Sequence, residues 1–322
     1  MKKNAKKINK RILIISLAIL FSAIGLFIFN QKNKLYRKSQ LLMGTYIEVV
    51  SPYPQAPYIV FSEISRIERL LSKYRPDSEI FKLNEQGKVV ASLDTMYVLR
   101  KSKEFWIITD GALDITVGPL LDLWGFTQKK YYLPTQAQIN AVLPRVGYDK
   151  IILNDENNLV ELKVFGMKVD LGAVAKGFAV DCAVRELKER GIKSCLINTG
   201  GQIYCLGDRF GKPWVIAIQN PREHDILESM EVKDQAVSTS GDYEQFFMVG
   251  NKRYSHIFNP KTGYPADSGI VSVTVIAKDN FTADALSTAI FVLGKEKGLK
   301  LIEHFPGVKT KIIEEKDVKD FE

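Results

Sequence analysis

An α+β fold is predicted for this 322-residue sequence: one large domain of mixed sheet and packed helices, behind a single N-terminal transmembrane helix. Three observations predict it. Strand-like and helix-like segments alternate after residue 40 without the regular strand–helix–strand cycle of a doubly wound sheet. No internal repeat and no long Pro/Gly/Ser-rich linker divides that stretch. An uncharged run of 18 residues, ILIISLAILFSAIGLFIF at 12–29, stands ahead of it.

That run comes first in the chain. At a rise of 1.5 Å per residue it spans about 27 Å, close to a hydrocarbon core of roughly 30 Å. Six basic residues precede it in segment 1–11, with no acid among them. This flank favours an amino terminus inside and the main domain outside the cell membrane. The residues after it, FIFNQKNK, lack the small-residue site of a cleaved signal peptide, so the expectation is an uncleaved anchor. Segment 30–40 then reads as a polar tether, and 41–322 as the main domain.

Charge excludes one class of function. The formal charge is +8, yet residues 1–38 hold ten Lys/Arg and no acid, which leaves the main domain slightly acidic. A basic face for nucleic acid is not predicted. With 46% hydrophobic and 25% charged residues the domain has the composition of a packed globule. Cys182, Cys195 and Cys205 form no CxxC or Cys/His metal pattern and read as buried small residues; one disulfide, pair unspecified, stays open.

The elements follow in order. LLMGTYIEVVS alternates and is predicted as the first strand, with MGT inside it. Ile64, Ile67, Leu70 and Leu71 share one face of a helix predicted to end at Pro76. SLDTMYVLRKSKEFWIITDG gives a second helix closed by Gly111, and GALDITVGPLLDLWGF a loop or short strand. Thr135 is a candidate cap for a small helix. IILNDENNLVELKV reads as a hairpin, Ala175 to Arg190 as a helix ended by Gly191, and KSCLINTGGQIYCLG as strand, Gly-Gly turn, strand. PWVIAIQNP and QAVSTSGDYEQFFMV add β structure, RYSHIFNPKTGYP is extended and broken by Pro260, Gly263 and Pro265, and IVSVTVIA is a strand. FTADALSTAIFVLGKEKGLKLIEHF is helical with a break near Gly294.

Three segments carry candidate chemistry. In VDLGAVAKGFAVD, Asp170 is predicted at a strand end and Lys176 one turn into the next helix. The pair suits a polar ligand, and equally an internal ion pair. In FTADALSTA, Thr282 is a candidate cap that puts Asp284 in the first turn with Thr288 four residues on. A carboxylate and a hydroxyl on one face suit a hard cation, although an acid there also serves the helix dipole without any metal. In SHIFNPKTGYP, His256 is a candidate proton acceptor or a structural histidine.

Eight segments together, in order from about Leu41 to at least Leu301, resemble the FAD:protein FMN transferase family (ApbE-type flavin transferases). They are MGT, YRPDSEI, GALDITVGPL, VDLGAVAKG, NTGG, STSGDYE, HIFNPKTGYP and TADALSTA. The one small departure is Asn259, where Asp is about as frequent. The resemblance implies that Met43 and Tyr74 pack against the flavin and that Ala112, Leu113 and Asp114 line the FAD pocket. It implies that Asp170 and Lys176 hold polar groups of FAD and that Ile257 contacts it. Asp284 and Thr288, with the backbone carbonyl of Ala173, are implied to bind Mg²⁺. His256 is the candidate base toward an acceptor hydroxyl, and Asp284 and His256 are the expected catalytic pair. The implied partners are FAD and extracytoplasmic electron-transfer flavoproteins with an exposed threonine. Two alternatives stay open at this stage, an Mg-dependent FAD pyrophosphatase and a non-catalytic FAD carrier.

Overall fold

The computed structural model describes residues 34–223 and 225–318. The run 12–29 and its basic flank lie outside the described residues, among which no helix is long and apolar enough to cross a membrane. The chain opens with a hairpin of β1 (Tyr36–Leu42) and β2 (Thr45–Ser51), then α1 (Ala56–Leu71), α2 (Glu79–Gln86), β3 (Lys88–Val90) and α3 (Leu93–Ile108). Two short helices, α4 (Gly118–Leu123) and α5 (Gln136–Val142), precede a hairpin of β4 (Ile151–Asn154) and β5 (Leu159–Leu162). The long helix α6 (Ala175–Glu189) leads into β6 (Cys195–Asn198), β7 (Gln202–Leu206), β8 (Trp214–Gln219), β9 (Ile226–Val232) and β10 (Gln235–Gly241). Then come β11 (Phe246–Val249), β12 (Lys252–Ser255), β13 (Ile270–Ala277), α7 (Asn280–Leu293), α8 (Lys295–Ile302) and β14 (Lys309–Glu314).

Seven of these strands form the central sheet, in the order β1-β2-β6-β7-β10-β13-β14. Every neighbouring pair runs antiparallel, so the sheet expected to be mixed is not. The reason lies in the connections: parallel neighbours need a crossover, and here β1–β2 and β6–β7 are joined by tight turns. One face carries the main core. There α7 lies on β10 and β13, and α6 packs between α7 and α1. On the other face the β8–β9 ribbon covers a smaller cluster of Val50, Cys205, Trp214, Ile216, Val232 and Val237. Val49 belongs to the main core and its neighbour Val50 to the outer one, as the two-residue period of a strand requires.

Several expectations change. LLMGTYIEVVS is two strands, because Met43 and Gly44 both take positive φ (51° and 74°) and make the two-residue turn that suits strand twist. β1 runs through the second half of the segment read as a tether. Helix α1 stops at Leu71, where Ser72 turns extended, well before Pro76. Within GALDITVGPLLDLWGF, Pro119 sits in the first turn of a short helix, a position that Pro tolerates. Other local signals hold: Thr135 caps α5 through a reciprocal capping box with Gln138, and Gly294 separates α7 from α8 at φ 83°. All three cysteines are free and buried, with thiols pushed up to about 12 by burial. Cys205 pairs across with Leu196 and Cys195 with Leu206, so the two point to opposite faces.

A second, aromatic cluster flanks the sheet end. Trp124 is fully buried, donates Nε1–H to the Gly263 carbonyl at 3.0 Å, and meets Phe247, Tyr254, Phe258 and Tyr264 within 6.3 Å. Gly263 has φ 74°, and a Cβ there would lie 2.6 Å from Ile139 Cγ2, so the turn that bears this carbonyl admits only glycine. The cluster fixes the loop after β12, which carries His256 and Ile257.

Candidate active site

A cavity of about 720 Å³ opens at one end of the sheet, within the usual size of small-molecule sites. The β1–β2 turn, the loops after α1 and α3, the start of α6, the end of β10, the loop after β12 and helix α7 all reach it. All twelve residues singled out from the sequence line it: Met43, Tyr74, Ala112, Leu113, Asp114, Asp170, Ala173, Lys176, His256, Ile257, Asp284 and Thr288. Their local settings differ from expectation in instructive ways.

Asp170 is not at a strand end. It lies in an irregular segment between β5 and α6, anchored by its N–H to the Ile115 carbonyl at 2.7 Å. Nor is its partner Lys176. The Asp170 carboxylate meets the Lys73 ammonium at 2.5 Å and accepts the Gly172 N–H at 2.8 Å. Burial opposes the charge on Lys73, but Asp170 outweighs it and holds the ammonium above its ordinary range. Lys73 is 97 positions from Asp170 in the chain, so spacing gave no signal for it.

Lys176 is the second residue of α6, not one turn in, and the field of its ammonium acts on Asp284, Glu244 and His256. Asp114 is almost wholly buried. Its carboxylate accepts the N–H and hydroxyl of Thr116 at 2.8 and 2.6 Å and the N–H of Tyr148 at 3.1 Å. Burial raises its pKa in spite of these bonds. Its bonds therefore knit the loop that presents Ala112 and Leu113. Tyr74, at 63% exposure, stands at the rim beside the Lys73 ammonium.

On α7 the cap is Asp279, which accepts the Thr282 N–H at 2.8 Å; Thr282 is the capped residue, not the cap. The helix therefore starts earlier, and Asp284 falls in its second turn, 2% exposed. Its Oδ2 accepts the Gly177 N–H at 3.0 Å and its Oδ1 the Gln202 amide at 3.1 Å. Burial pushes this carboxyl up to about 7, while Lys176, Gly177 and Gln202 pull the other way. Thr288 Oγ1 lies 3.3 Å from Ser240 Oγ.

These groups fit a hard divalent cation. Each Asp284 oxygen accepts one hydrogen bond and keeps a lone pair, and the carboxylate is desolvated, which a nearby cation would relieve. Thr288 and Ala173 line the same cavity, and the hydroxyl of the one and the backbone carbonyl of the other are further oxygen donors. Among the described residues there is no group of three or more His, Cys, Asp or Glu that could hold a metal ion, so the protein oxygens at this wall are few. Such a sparse oxygen set suits an ion that keeps water or phosphate as its remaining ligands.

His256 is half-buried just after β12, and burial lowers its pKa to about 4. Its Nδ1 lies 3.2 Å from the Gln245 carbonyl. A carbonyl can only accept, so Nδ1 carries the proton and Nε2 holds the acceptor lone pair. A neutral imidazole in that tautomer is equipped to take a proton. Thr45, Gln202, Ser240, Glu244 and Gln245 also line the cavity, though the sequence gave none of them a role of its own; Thr45 closes MGT, Gln202 follows NTGG, and the other three lie in STSGDYEQ.

Comparison with known proteins gives one answer. The profile of the ApbE family matches residues 43–312. The FAD:protein FMN transferase of Vibrio cholerae serotype O1 is 36% identical over 278 residues, which cover 81% of this chain and 82% of that protein. A crystal structure of the ApbE protein from Thermotoga maritima superposes with a TM-score of 0.81 at 36% identity, covering 88% of this chain and 95% of that one. The flavin transferase ApbE from Vibrio cholerae gives a TM-score of 0.77 at 31% identity, covering 87% and 94%. With its sequence, its fold and the cavity at the sheet end in agreement, this chain belongs to the ApbE family of FAD:protein FMN transferases.

Proposed function

We propose that the chain moves the FMN half of FAD onto a threonine hydroxyl of an extracytoplasmic flavoprotein, in an Mg²⁺-dependent reaction that releases AMP. The observation that carries this reading is one cavity uniting a neutral histidine, its proton held on Nδ1, with an oxygen-donor wall around Asp284. The threonine oxygen attacks the FMN-side phosphorus of FAD. The new O–P bond replaces the bond from that phosphorus to the bridging oxygen, which leaves with AMP. His256 Nε2 takes the hydroxyl proton, so the weak nucleophile gains negative character as the bond forms. Lys176 faces the polar wall and offsets phosphate charge. The ordered loops around Ala112, Leu113 and Ile257 hold the flavin end and exclude water from the reacting phosphorus.

Asp284, Thr288 and the Ala173 carbonyl would hold Mg²⁺, which when bound neutralises pyrophosphate oxygens and the charge growing on the leaving AMP. The same proposal has the run 12–29 anchoring the domain on the outer side of the cell membrane. Confinement there raises the effective concentration of membrane-bound acceptors.

The test uses the full-length chain in detergent, with FAD, Mg²⁺ and a candidate extracytoplasmic flavoprotein domain. Intact-mass spectrometry is expected to find one added FMN on the acceptor, absent when the acceptor threonine is Ala or when EDTA is present, with AMP released in equal amount. AMP without added mass would replace the transferase by a pyrophosphatase. Tight FAD binding with neither signal would leave a carrier.

A further inference from the structure

The donor groups read above as the cation site are divided between two helices. The Ala173 carbonyl belongs to the turn that leads into α6, whereas Asp284 and Thr288 ride on α7. The distance between the two halves is therefore set by how α6 and α7 cross. That crossing is made at backbone level. A Cβ on Gly177 of α6 would lie 2.5 Å from the Asn280 carbonyl oxygen and 3.0 Å from Asp284 Cβ. One turn further along the same face of α6 stands Asp181. Its two carboxylate oxygens accept the Asn280 N–H at 2.7 Å and the Phe281 N–H at 2.8 Å, the first two donors of α7.

Asp181 accepts from the two N–H groups of α7 that the helix's own cap leaves open, and it does so from another helix. The start of α7 already has its own cap in Asp279, which satisfies the Thr282 N–H and binds the Thr282 hydroxyl at 3.0 Å. Asp279 belongs to the segment that enters α7, so its bonds order that end without tying it to α6. Asp181 does tie it. Two bonds from one rigid carboxylate to successive N–H groups fix both the axial position of α7 and its rotation about its own axis. Gly177 then meets Asp284 one turn later with a single N–H.

We propose that Asp181 is a positioning residue for the reaction: by clamping the first turn of α7 onto α6, it sets the separation of the Ala173 carbonyl from Asp284 and Thr288. The inference rests on the cation site read above. Burial pushes the Asp181 carboxyl up to about 7 even with two N–H groups bonded to it. The fold thus retains a poorly solvated acid where an apolar side chain would leave two helix N–H groups without an acceptor.

The test compares Asp181→Ala, Asp181→Asn and Asp279→Ala in the full-length chain, with circular dichroism to establish folding. Mn²⁺ binding followed by electron paramagnetic resonance reads the site without any turnover. Asp181→Ala is expected to weaken Mn²⁺ about tenfold to a hundredfold, as loss of a group that orients metal ligands does. In the transfer assay it should raise the KM for Mg²⁺ while kcat at saturating Mg²⁺ falls much less. Asp181→Asn keeps one accepting oxygen and should recover part of the affinity. Asp279→Ala should lower the thermal midpoint yet leave Mn²⁺ affinity within about twofold, since it removes the helix's own cap and none of the hydrogen bonds that join α7 to α6. If Asp181→Ala does not fold, the Asp181→Asn and Asp279→Ala pair carries the same comparison. Equal Mn²⁺ affinity in wild type and the Asp181 variants, or an equal loss in Asp279→Ala, would overturn the clamp. Absence of Mn²⁺ binding by the wild type would instead overturn the cation site, and the clamp with it.

Discussion

The two walls of the cavity are built differently. One is the α6–α7 crossing, where helices touch at backbone distance and where Asp284 and Asp181 have a partner for each carboxylate oxygen. The other is assembled from loops: Tyr74 after α1, Ala112 and Leu113 after α3, His256 and Ile257 after β12. Loops admit a large substrate and can differ among relatives, while a helix crossing fixes charges to fractions of an ångström. In the proposed reaction, charge chemistry belongs to the helical wall and substrate handling, with proton transfer, to the loop wall.

The strongest challenge to that division is Asp284→Ala. Transfer should fall on the order of a thousandfold or more at saturating FAD, because the helical wall loses the carboxylate on which its electrostatics centre. The variant should still fold, with a lowered thermal midpoint, since the buried Gly177 N–H and Gln202 amide lose their acceptor while a desolvated acid is removed. Wild-type transfer rates in this variant, measured in metal-depleted buffer, would remove Asp284 from the chemistry.

His256→Ala tests the loop wall and should be smaller, between about a hundredfold and ten-thousandfold in rate, with FAD affinity little changed. Burial holds the imidazole at about 4, so it stays neutral well below its ordinary range. The ratio of wild-type to variant rate should therefore remain level from about pH 8 to about pH 5 and narrow only as pH approaches 4. A ratio that halves near pH 6.5 would show the ring to be solvated, and weakened FAD binding alone would make His256 structural. Smallest is Tyr74→Ala: as an exposed rim ring it should raise the FAD KM about tenfold, the usual worth of one stacking partner. Its thermal midpoint should stay within about 2 °C of wild type, because little is packed against it. A large loss of stability would mean that the rim is part of the core.

Legibility in the sequence followed the range of the interaction. Thr135, Gly294, the Gly-Gly turn at 200–201 and the strand 270–277 were readable, because caps, breaks and β-branched runs act within a few residues. The Met43–Gly44 turn was not, since a methionine at positive φ leaves no mark on an alternating pattern. Of the two readings of Asp170 and Lys176, the internal ion pair fails, because the ion partner of Asp170 is Lys73, which precedes α2 and α3 in the chain. The twelve cavity residues were gathered by the order of family motifs. By spacing alone, Asp170, Lys176, Asp284 and Thr288 had a structural explanation beside the functional one, and for His256 the structural one was the stronger. Asp181 escaped notice because its partners lie 99 and 100 positions away.

The aromatic cluster has an optical consequence. Trp124 sits one ring behind the cavity wall, in contact with Phe258, while Trp214 lies across the sheet in the outer cluster. Indole emission overlaps flavin absorption, and energy transfer between them weakens steeply with separation. A third indole, Trp106, packs on Tyr148 near Asp114, so a flavin bound in the cavity would quench three emitters to graded extents, least of all the one screened by the thickness of the sheet.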